Sequence, residues 1–314
     1  MSNQEKDLHV VFGTGPLGRA VAAALVARGR AVRAVGRSAR ADVPAGTAYV
    51  SADASEPAAA RAVTLGAAAV YQCAQPAYHR WPEEFPRLQS SILEAAAAAG
   101  ARLVLADNLY ALGDAGRPLT EDLPAAATTR KGRTRGAMAE AALAAHRAGR
   151  VRVAIGRASD FYGPGVRLSA LGERVFAPLL AGKKAGVLGN PDLPHTYTYI
   201  DDFARALVTL GERDEASGGI WNVPSAPTLT TREIVAIAAE EAGVEPRLAA
   251  AGRALLSLAG LFNPGAREML EMFYEFEKPF VVDHSKFGRA FGGAATPHRD
   301  ALQATLAWYR ARKA

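Results

Sequence analysis

Nothing in this chain restricts its possible folds as tightly as the stretch from His9 to Ala24, HVVFGTGPLGRAVAAA. Leu8, Val10, Val11 and Phe12 form an apolar run too short and too β-branched to be a helix by itself. Gly13, Gly15 and Gly18 follow with the spacing G-x-G-x-x-G, and Ala20 to Ala27 continue with helix formers. Gly13 permits a tight turn that a Cβ would obstruct, Gly15 lets a pyrophosphate approach the backbone, and Gly18 lets the helix pack closely on the strand. Pro16 suits the first helical turn, where its missing N–H would be an orphan anyway. The free N–H groups of the turn that Pro16 and Leu17 open, with the helix dipole, attract an anionic pyrophosphate. A lone G-x-G-x-x-G in a chain with 30 glycines would mean little. The strand before it and the helix after it turn it into a dinucleotide fingerprint. The competing reading is an ordinary β–α turn that binds nothing.

A second strand, Ala31 to Val35, ends in Gly36-Arg37-Ser38-Ala39-Arg40. This position, about 20 residues past the glycines, distinguishes two cofactors. An acidic residue here would hydrogen-bond the ribose 2′-OH of NAD. The chain has no carboxylate until Asp42 and offers Arg37, Ser38 and Arg40 instead. Guanidinium groups pair bidentately with phosphate, so the pattern favours the 2′-phosphate of NADP over NAD.

Thr47 to Val50 reads as a third strand with Asp53 after it, Ala58 to Leu65 as a helix, and Ala67 to Ala74 as a fourth strand. Glu83 to Gly100 is a long helix closed by a glycine, and Arg102 to Ala106 is a fifth strand leading into Asp107 and Asn108. An alanine-rich helix, Thr134 to His146, precedes a sixth strand, Arg152 to Arg157. Strands alternating with helices at this spacing predict an α/β fold with a doubly wound parallel sheet. Ligands of such sheets bind beyond the carboxyl ends of the strands, where Gly15, Arg37, Asp53, Ala74 and Asn108 would fall.

Composition changes after Gly165. A Gly- and Pro-containing stretch, Leu188 to Pro194, precedes the aromatic segment His195 to Tyr199. A helix over Asp201 to Leu210, a short strand at Trp221 to Val223, and a capped helix over Thr228 to Gly243 follow, with Thr230 or Thr231 and Glu233 near its start. Residues 1–165, with 195–225 returning, are read as a dinucleotide-binding domain. Residues 166–194 and 226–314 are read mainly as a smaller C-terminal substrate domain.

Composition limits the alternatives. Hydrophobic residues at 49% and charged residues at 22% suit a soluble globular protein, and no apolar run reaches the ~20 residues of a membrane span. The polar start MSNQEKD lacks an apolar signal core, and one cysteine, Cys73, excludes an internal disulfide; a cytoplasmic protein is expected. The net charge of +6 invites a nucleic-acid reading. Its densest cluster, Arg130, Lys131, Arg133 and Arg135, has no interleaved aromatics for base stacking, so a phosphorylated small ligand is the expected partner. The six histidines have no metal-ligand spacing, and no metal site is expected.

Several short motifs carry a resemblance. Beside the glycine turn and Asp53 stand Tyr162-Gly163-Pro164, Tyr199-Ile200-Asp201-Asp202, Trp221-Asn222-Val223, Asp283-His284-Ser285-Lys286 and Thr305 to Tyr309. In this order and spacing they resemble the extended short-chain dehydrogenase/reductase superfamily, especially its atypical NAD-dependent epimerase/dehydratase members. The resemblance implies a Rossmann-type domain, a nicotinamide cofactor with Asp53 at the adenine-contacting acid, and chemistry at a carbonyl or hydroxyl carbon. It leaves a homodimer through paired helices open.

The departures are as informative. Such enzymes place a Ser or Thr after the fifth strand and a Tyr-x-x-x-Lys on the next helix. The aligned Ser/Thr position is Asn108, the Lys position Gly136 and the Tyr position Gly132, and no tyrosine lies between Ala111 and Arg157. One residue out of register, Lys131 and Arg135 have the same spacing of four and would share a helical face if the helix starts early enough. Arg135 could hold a ribose or phosphate, and Lys131 could donate a proton if desolvated. Asp107, Asn108 and the nearest phenol, Tyr110, complete the catalytic candidates. On the substrate side stand His79 and Trp81, Asp160 and Tyr162, and His195 and Tyr197. Turn-making is the competing role for Asp107 and Asn108, and solvation or packing for the others.

The reading that follows is an NADP(H)-dependent oxidoreductase or epimerase acting on a small alcohol or carbonyl compound, with a non-standard proton donor. Its rivals are a non-catalytic NADP(H)-binding sensor or partner-binding protein and a nucleotide-sugar epimerase/dehydratase.

Overall fold

The computed structural model describes residues 7–262 and 264–312; the polar segment before Asp7 lies outside them. The chain divides into two compact units.

The first unit comprises residues up to Asn108, Arg133–Arg157 and Phe203–Trp221. Its strands are β1 (Leu8–Phe12), β2 (Ala31–Gly36), β3 (Thr47–Ser51), β4 (Ala67–Gln72), β5 (Arg102–Asp107) and β6 (Arg152–Arg157), and β7 (Ile220–Asn222) lies at one edge. The helices are α1 (Pro16–Ala27), α2 (Pro57–Thr64), α3 (Trp81–Ala99), α4 (Arg130–Arg147) and α5 (Ile200–Glu212). The strand order is β7-β6-β5-β4-β1-β2-β3. Strands β1 to β6 pair in parallel, so all their carboxyl ends reach one edge. The winding reverses at β1, which lies between β4 and β2, the position where such sheets bind ligands.

The sheet's core follows from the sequence. Val10, Val11 and Phe12 are wholly buried, as a strand covered on both faces requires. Each contributes about 1.5–3 kcal/mol of burial. Leu17, Val21, Ala22 and Leu25 put one stripe of α1 in the core. Helix α3 begins at Trp81, two residues before the expected start, because Pro82 fits the first turn; it closes on Gly100. Helix α4 begins at Arg130 rather than Thr134. Gly132, Gly136 and a run of cations hid its first turn from a propensity reading.

The second unit comprises Leu109–Gly132, Ala158–Asp202 and the chain from Asn222 onward. It is built of helices and short strand pairs. Phe161–Tyr162 pairs in parallel with Thr198–Tyr199, Ala185–Leu188 in parallel with Leu248–Ala251, and Pro194–His195 antiparallel with Leu229–Thr230. The expected capped helix runs over Thr231–Ala242 and carries a capping box: Thr230 accepts from the Glu233 N–H while Glu233 accepts from the Thr230 N–H. Asn222 ties three segments together. Its side-chain amide donates to the Leu119 and Asp283 carbonyls at 3.0 and 2.9 Å, and its N–H donates to Glu121 at 2.9 Å. Among the described residues no helix is long and apolar enough to cross a membrane.

Candidate functional site

In the first unit the turn after β1 is shaped by what its glycines lack. Gly13 has φ +104, and a Cβ there would lie 2.6 Å from the Ala74 nitrogen. A Cβ on Gly18 would run into the Gly13 carbonyl oxygen. Both positions therefore admit no side chain. Gly15 is different: a Cβ there would meet nothing within 4 Å, and with Pro16 it is exposed. The first turn of α1 has no side-chain cap, which leaves its N–H groups without a side-chain partner at the N-cap. Backbone bonds fix the neighbouring strand ends: Gly13 donates to Val35 at 2.8 Å and Cys73 to Phe12 at 2.9 Å. Burial pushes the Cys73 thiol up to about 12, which disfavours its thiolate.

Beyond β2, the chain from Arg37 to Arg40 is exposed. Tyr49 donates to the Ser38 carbonyl, and Ala52 N–H donates to the Gly36 carbonyl at 2.9 Å. Asp53 follows β3. The Ser55 N–H and hydroxyl both donate to its Oδ1, at 2.9 and 2.7 Å, and hold its carboxyl below the usual range, with Arg37 adding to the effect.

At the end of β5 lies a buried ion cluster. Each oxygen of Asp107 takes one arginine: Arg135 Nε donates to Oδ1 at 2.8 Å and Arg157 Nε to Oδ2 at 2.9 Å. Burial alone would raise this carboxyl, but the two guanidinium groups hold it below the ordinary range. Arg135 also donates to the Ala106 carbonyl at 2.9 Å, and its guanidinium carbon sits 4.8 Å from the Phe85 ring centre and 5.6 Å from that of Trp81. Trp81 is buried against Phe85, and its indole N–H donates to the Pro76 carbonyl at 3.3 Å. His79 is exposed, and Asn108 is half-buried.

The second unit holds the other candidates. The early start of α4 puts Lys131 on the same helix as Arg135. Lys131 is wholly buried, and its ammonium donates to both Glu268 and Glu271, the latter at 2.7 Å. Burial would raise the Glu271 carboxyl, yet bonds from the Lys131 ammonium and N–H hold it low. Beside it, a Cβ on Gly132 would meet the Ala127 methyl, the Tyr110 carbonyl oxygen at 2.6 Å and the Thr129 hydroxyl at 2.7 Å. Position 132 is thus closed to a side chain. Tyr110 itself is half-buried in a 3₁₀ turn, Tyr110–Leu112.

Asp160 follows β6 and accepts from His195 Nε2 at 3.1 Å. The His195 ring stacks on Tyr197 at 4.5 Å and lies parallel to Phe276 at 5.2 Å. Burial pushes the Tyr197 phenol up, although Thr231 hydrogen-bonds it at 2.7 Å. Burial likewise pushes the Tyr162 phenol up, with Asp202 and Tyr199 adding to it. Two neighbours of Asp160 left no sequence signal. Burial holds Glu275 protonated well above the usual carboxylate range, with Asp160 reinforcing it, and lowers the Arg174 guanidinium. Glu275 Oε1 and Arg174 Nε have no hydrogen-bond partner among the described residues. Glu268, Glu271 and Glu275 sit more than a hundred residues from Lys131 and Asp160, so no local pattern announced them.

These features define a class, a doubly wound α/β protein with a dinucleotide-type turn at its switch point. The NAD dependent epimerase/dehydratase family matches residues 10–223, more than half of the chain. The chain belongs to that family, and the reading of an NAD(P)-dependent enzyme family of the extended type stands with it. It is 27% identical to a dTDP-glucose 4,6-dehydratase of Streptomyces griseus over 54% of this chain and 46% of that one. It thus spans about half the length of that curated relative. By structure it is similar to the epimerase Mth375 of Methanothermobacter thermautotrophicus, with TM-score 0.81, 16% identity, and 98% and 93% of the two chains covered. It is also similar to a UDP-glucuronic acid 4-epimerase of Bacillus cereus in complex with NAD, with TM-score 0.79, 16% identity, and 98% and 100% covered. At that identity these are likenesses of fold.

Proposed function

We propose that the chain is an NADP(H)-dependent oxidoreductase or epimerase acting on a hydroxyl- or carbonyl-bearing small molecule. The observation that carries this is the turn after β1, where Gly13 and Gly18 admit no side chain while Gly15 faces open space. An uncapped helix N-terminus beside such a gap fits a pyrophosphate. Gly13, Gly15, Pro16, Leu17 and Gly18 would hold it, with Ala74 closing the floor. Asp53, kept ionised by Ser55, would take the adenosine end. Arg37, Ser38 and Arg40 would take the 2′-phosphate, since no carboxylate stands where NAD would need one. The bound nicotinamide would supply hydride transfer.

In the second unit Asp160, Tyr162, His195 and Tyr197 are the substrate-side candidates. The paired His195 and Asp160 can move a proton between them at Nε2 and Oδ2. Tyr162 and Tyr197 are poor acids, because burial favours the neutral phenol. The sugar-nucleotide relatives support a polyhydroxylated substrate as one form of this reading.

A non-catalytic NADP(H) sensor is the second reading, and a specific observation favours it. Gly132 is closed, Lys131 is engaged by two glutamates, and Arg135 is engaged by Asp107. Turnover decides between them. An enzyme changes the absorbance of added NADPH or NADP+ with some alcohol, aldehyde, ketone or sugar nucleotide in a panel. A sensor binds the two redox forms with different affinity and turns over none. For the cofactor itself, Arg37→Ala should lower NADPH affinity about 10-fold or more and leave NADH nearly unchanged. An unaltered NADPH/NADH preference would remove the reason for naming NADP.

A further inference from the structure

We propose that Arg19 is a specificity-determining residue for the adenosine 2′-phosphate, held in place by Asp42, whose carboxylate the phosphate displaces. This rests on the NADP reading above and adds to it a residue that the β2 loop alone does not reveal.

Arg19 is the fourth residue of α1, directly after Gly18, and its N–H donates to the Gly15 carbonyl at 3.0 Å. Its guanidinium reaches Asp42, at 2.9 Å between Nη1 and Oδ2. Asp42 belongs to the segment that leaves β2, and that segment starts from a fixed point. Gly13 N–H holds the Val35 carbonyl, Ala52 N–H holds the Gly36 carbonyl, and Tyr49 holds the Ser38 carbonyl. Arg19 therefore joins the first turn of α1 to the loop bearing Arg37 and Arg40.

A folding role does not account for it. The pair is exposed, 44% at Arg19 and 82% at Asp42, and exposed pairs stabilise little. A cation near the N-terminus of a helix opposes the macrodipole, and the first turn of α1 has no acidic residue to offset it. The loop after β2 thus carries Arg37 and Arg40, receives Arg19, and has Asp42 as its one carboxylate. A phosphate monoester carries more charge and more acceptor oxygens than a carboxylate. It is the stronger partner for a guanidinium fork, and a ligand bearing one would take Arg19 from Asp42.

Calorimetry on the full chain tests this with three probes: NADPH, NADH and adenosine 2′,5′-bisphosphate, which has the phosphate but no nicotinamide. In Arg19→Gln, affinity for NADPH and the bisphosphate should fall about 10- to 100-fold while NADH changes less than about twofold. Arg19→Lys, which keeps the charge but not the fork, should fall between. Asp42→Asn should bind NADPH about two- to fivefold more tightly, because the competing carboxylate is gone. An Arg19→Gln protein with the wild-type NADPH/NADH ratio overturns the assignment, and weaker NADPH binding in Asp42→Asn overturns the displacement. A wild-type protein without NADPH preference overturns the cofactor reading itself, which is a separate result. Both positions are exposed, and matching thermal melts show that the variants are folded.

Discussion

Gly15 and Gly132 both lack a side chain, for opposite reasons. At Gly15 a Cβ would enter open space beside an uncapped helix end. At Gly132 the space is already taken by Ala127, the Tyr110 carbonyl and the Thr129 hydroxyl. The turn after β1 has no side-chain cap at its helix end and open space at Gly15, which is what a ligand site needs. At the start of α4, Lys131 and Arg135 are each matched to buried or half-buried carboxylates. The start of α4 is packed at Gly132, whereas the turn after β1 is open at Gly15.

The largest effect should come from the packed side. Arg135→Ala leaves Asp107 with one of its two guanidinium partners and should cost about 3–5 kcal/mol in urea unfolding. Lys131→Met should cost less, about 1–3 kcal/mol, because Glu268 and Glu271 retain 13% and 16% side-chain exposure and water can solvate them. Equal losses at the two sites would break the distinction between a sealed cluster and a part-solvated one.

Glycine substitutions sharpen the same contrast. Gly132→Ala forces a methyl into filled space and should cost about 1–3 kcal/mol. Gly15→Ala should stay within about 1 kcal/mol of wild type yet lose most dinucleotide affinity in a calorimetric titration. A Gly15→Ala protein that binds NADPH normally would show that the pyrophosphate does not sit on that turn.

The last test concerns Glu275 and is read as a pH dependence. Its folded-state value is raised above the ordinary 4.5, so the stability it contributes is fully present below that value and lost as pH rises through the folded value. Glu275→Gln is neutral throughout. It should be the more stable protein at alkaline pH, with the gap closing in acid. Parallel pH–stability curves for the two proteins would show that Glu275 is not held protonated.

Much of the sheet was legible because its signals are local. The apolar run before Gly13, the glycine that ends α3 and the capping box at Thr230 each report on a few adjacent residues. The start of α4 was not legible. Its glycines and cations read as loop, and what favours a helix there is Lys131 finding Glu271, 140 residues away. The surroundings of Asp160 escaped for the same reason, since Glu275 and Arg174 reach it only through the fold.

By itself the sequence determined the doubly wound sheet, its switch point and the glycine turn. Periodicity and backbone freedom act over distances of a few residues, and those distances are written in the chain. Tertiary structure alone decided what became of the charges. Whether Lys131, Arg135 or Glu275 is a free group or a neutralised one depends on which distant carboxylate burial brings beside it, and on how little water remains to screen the pair.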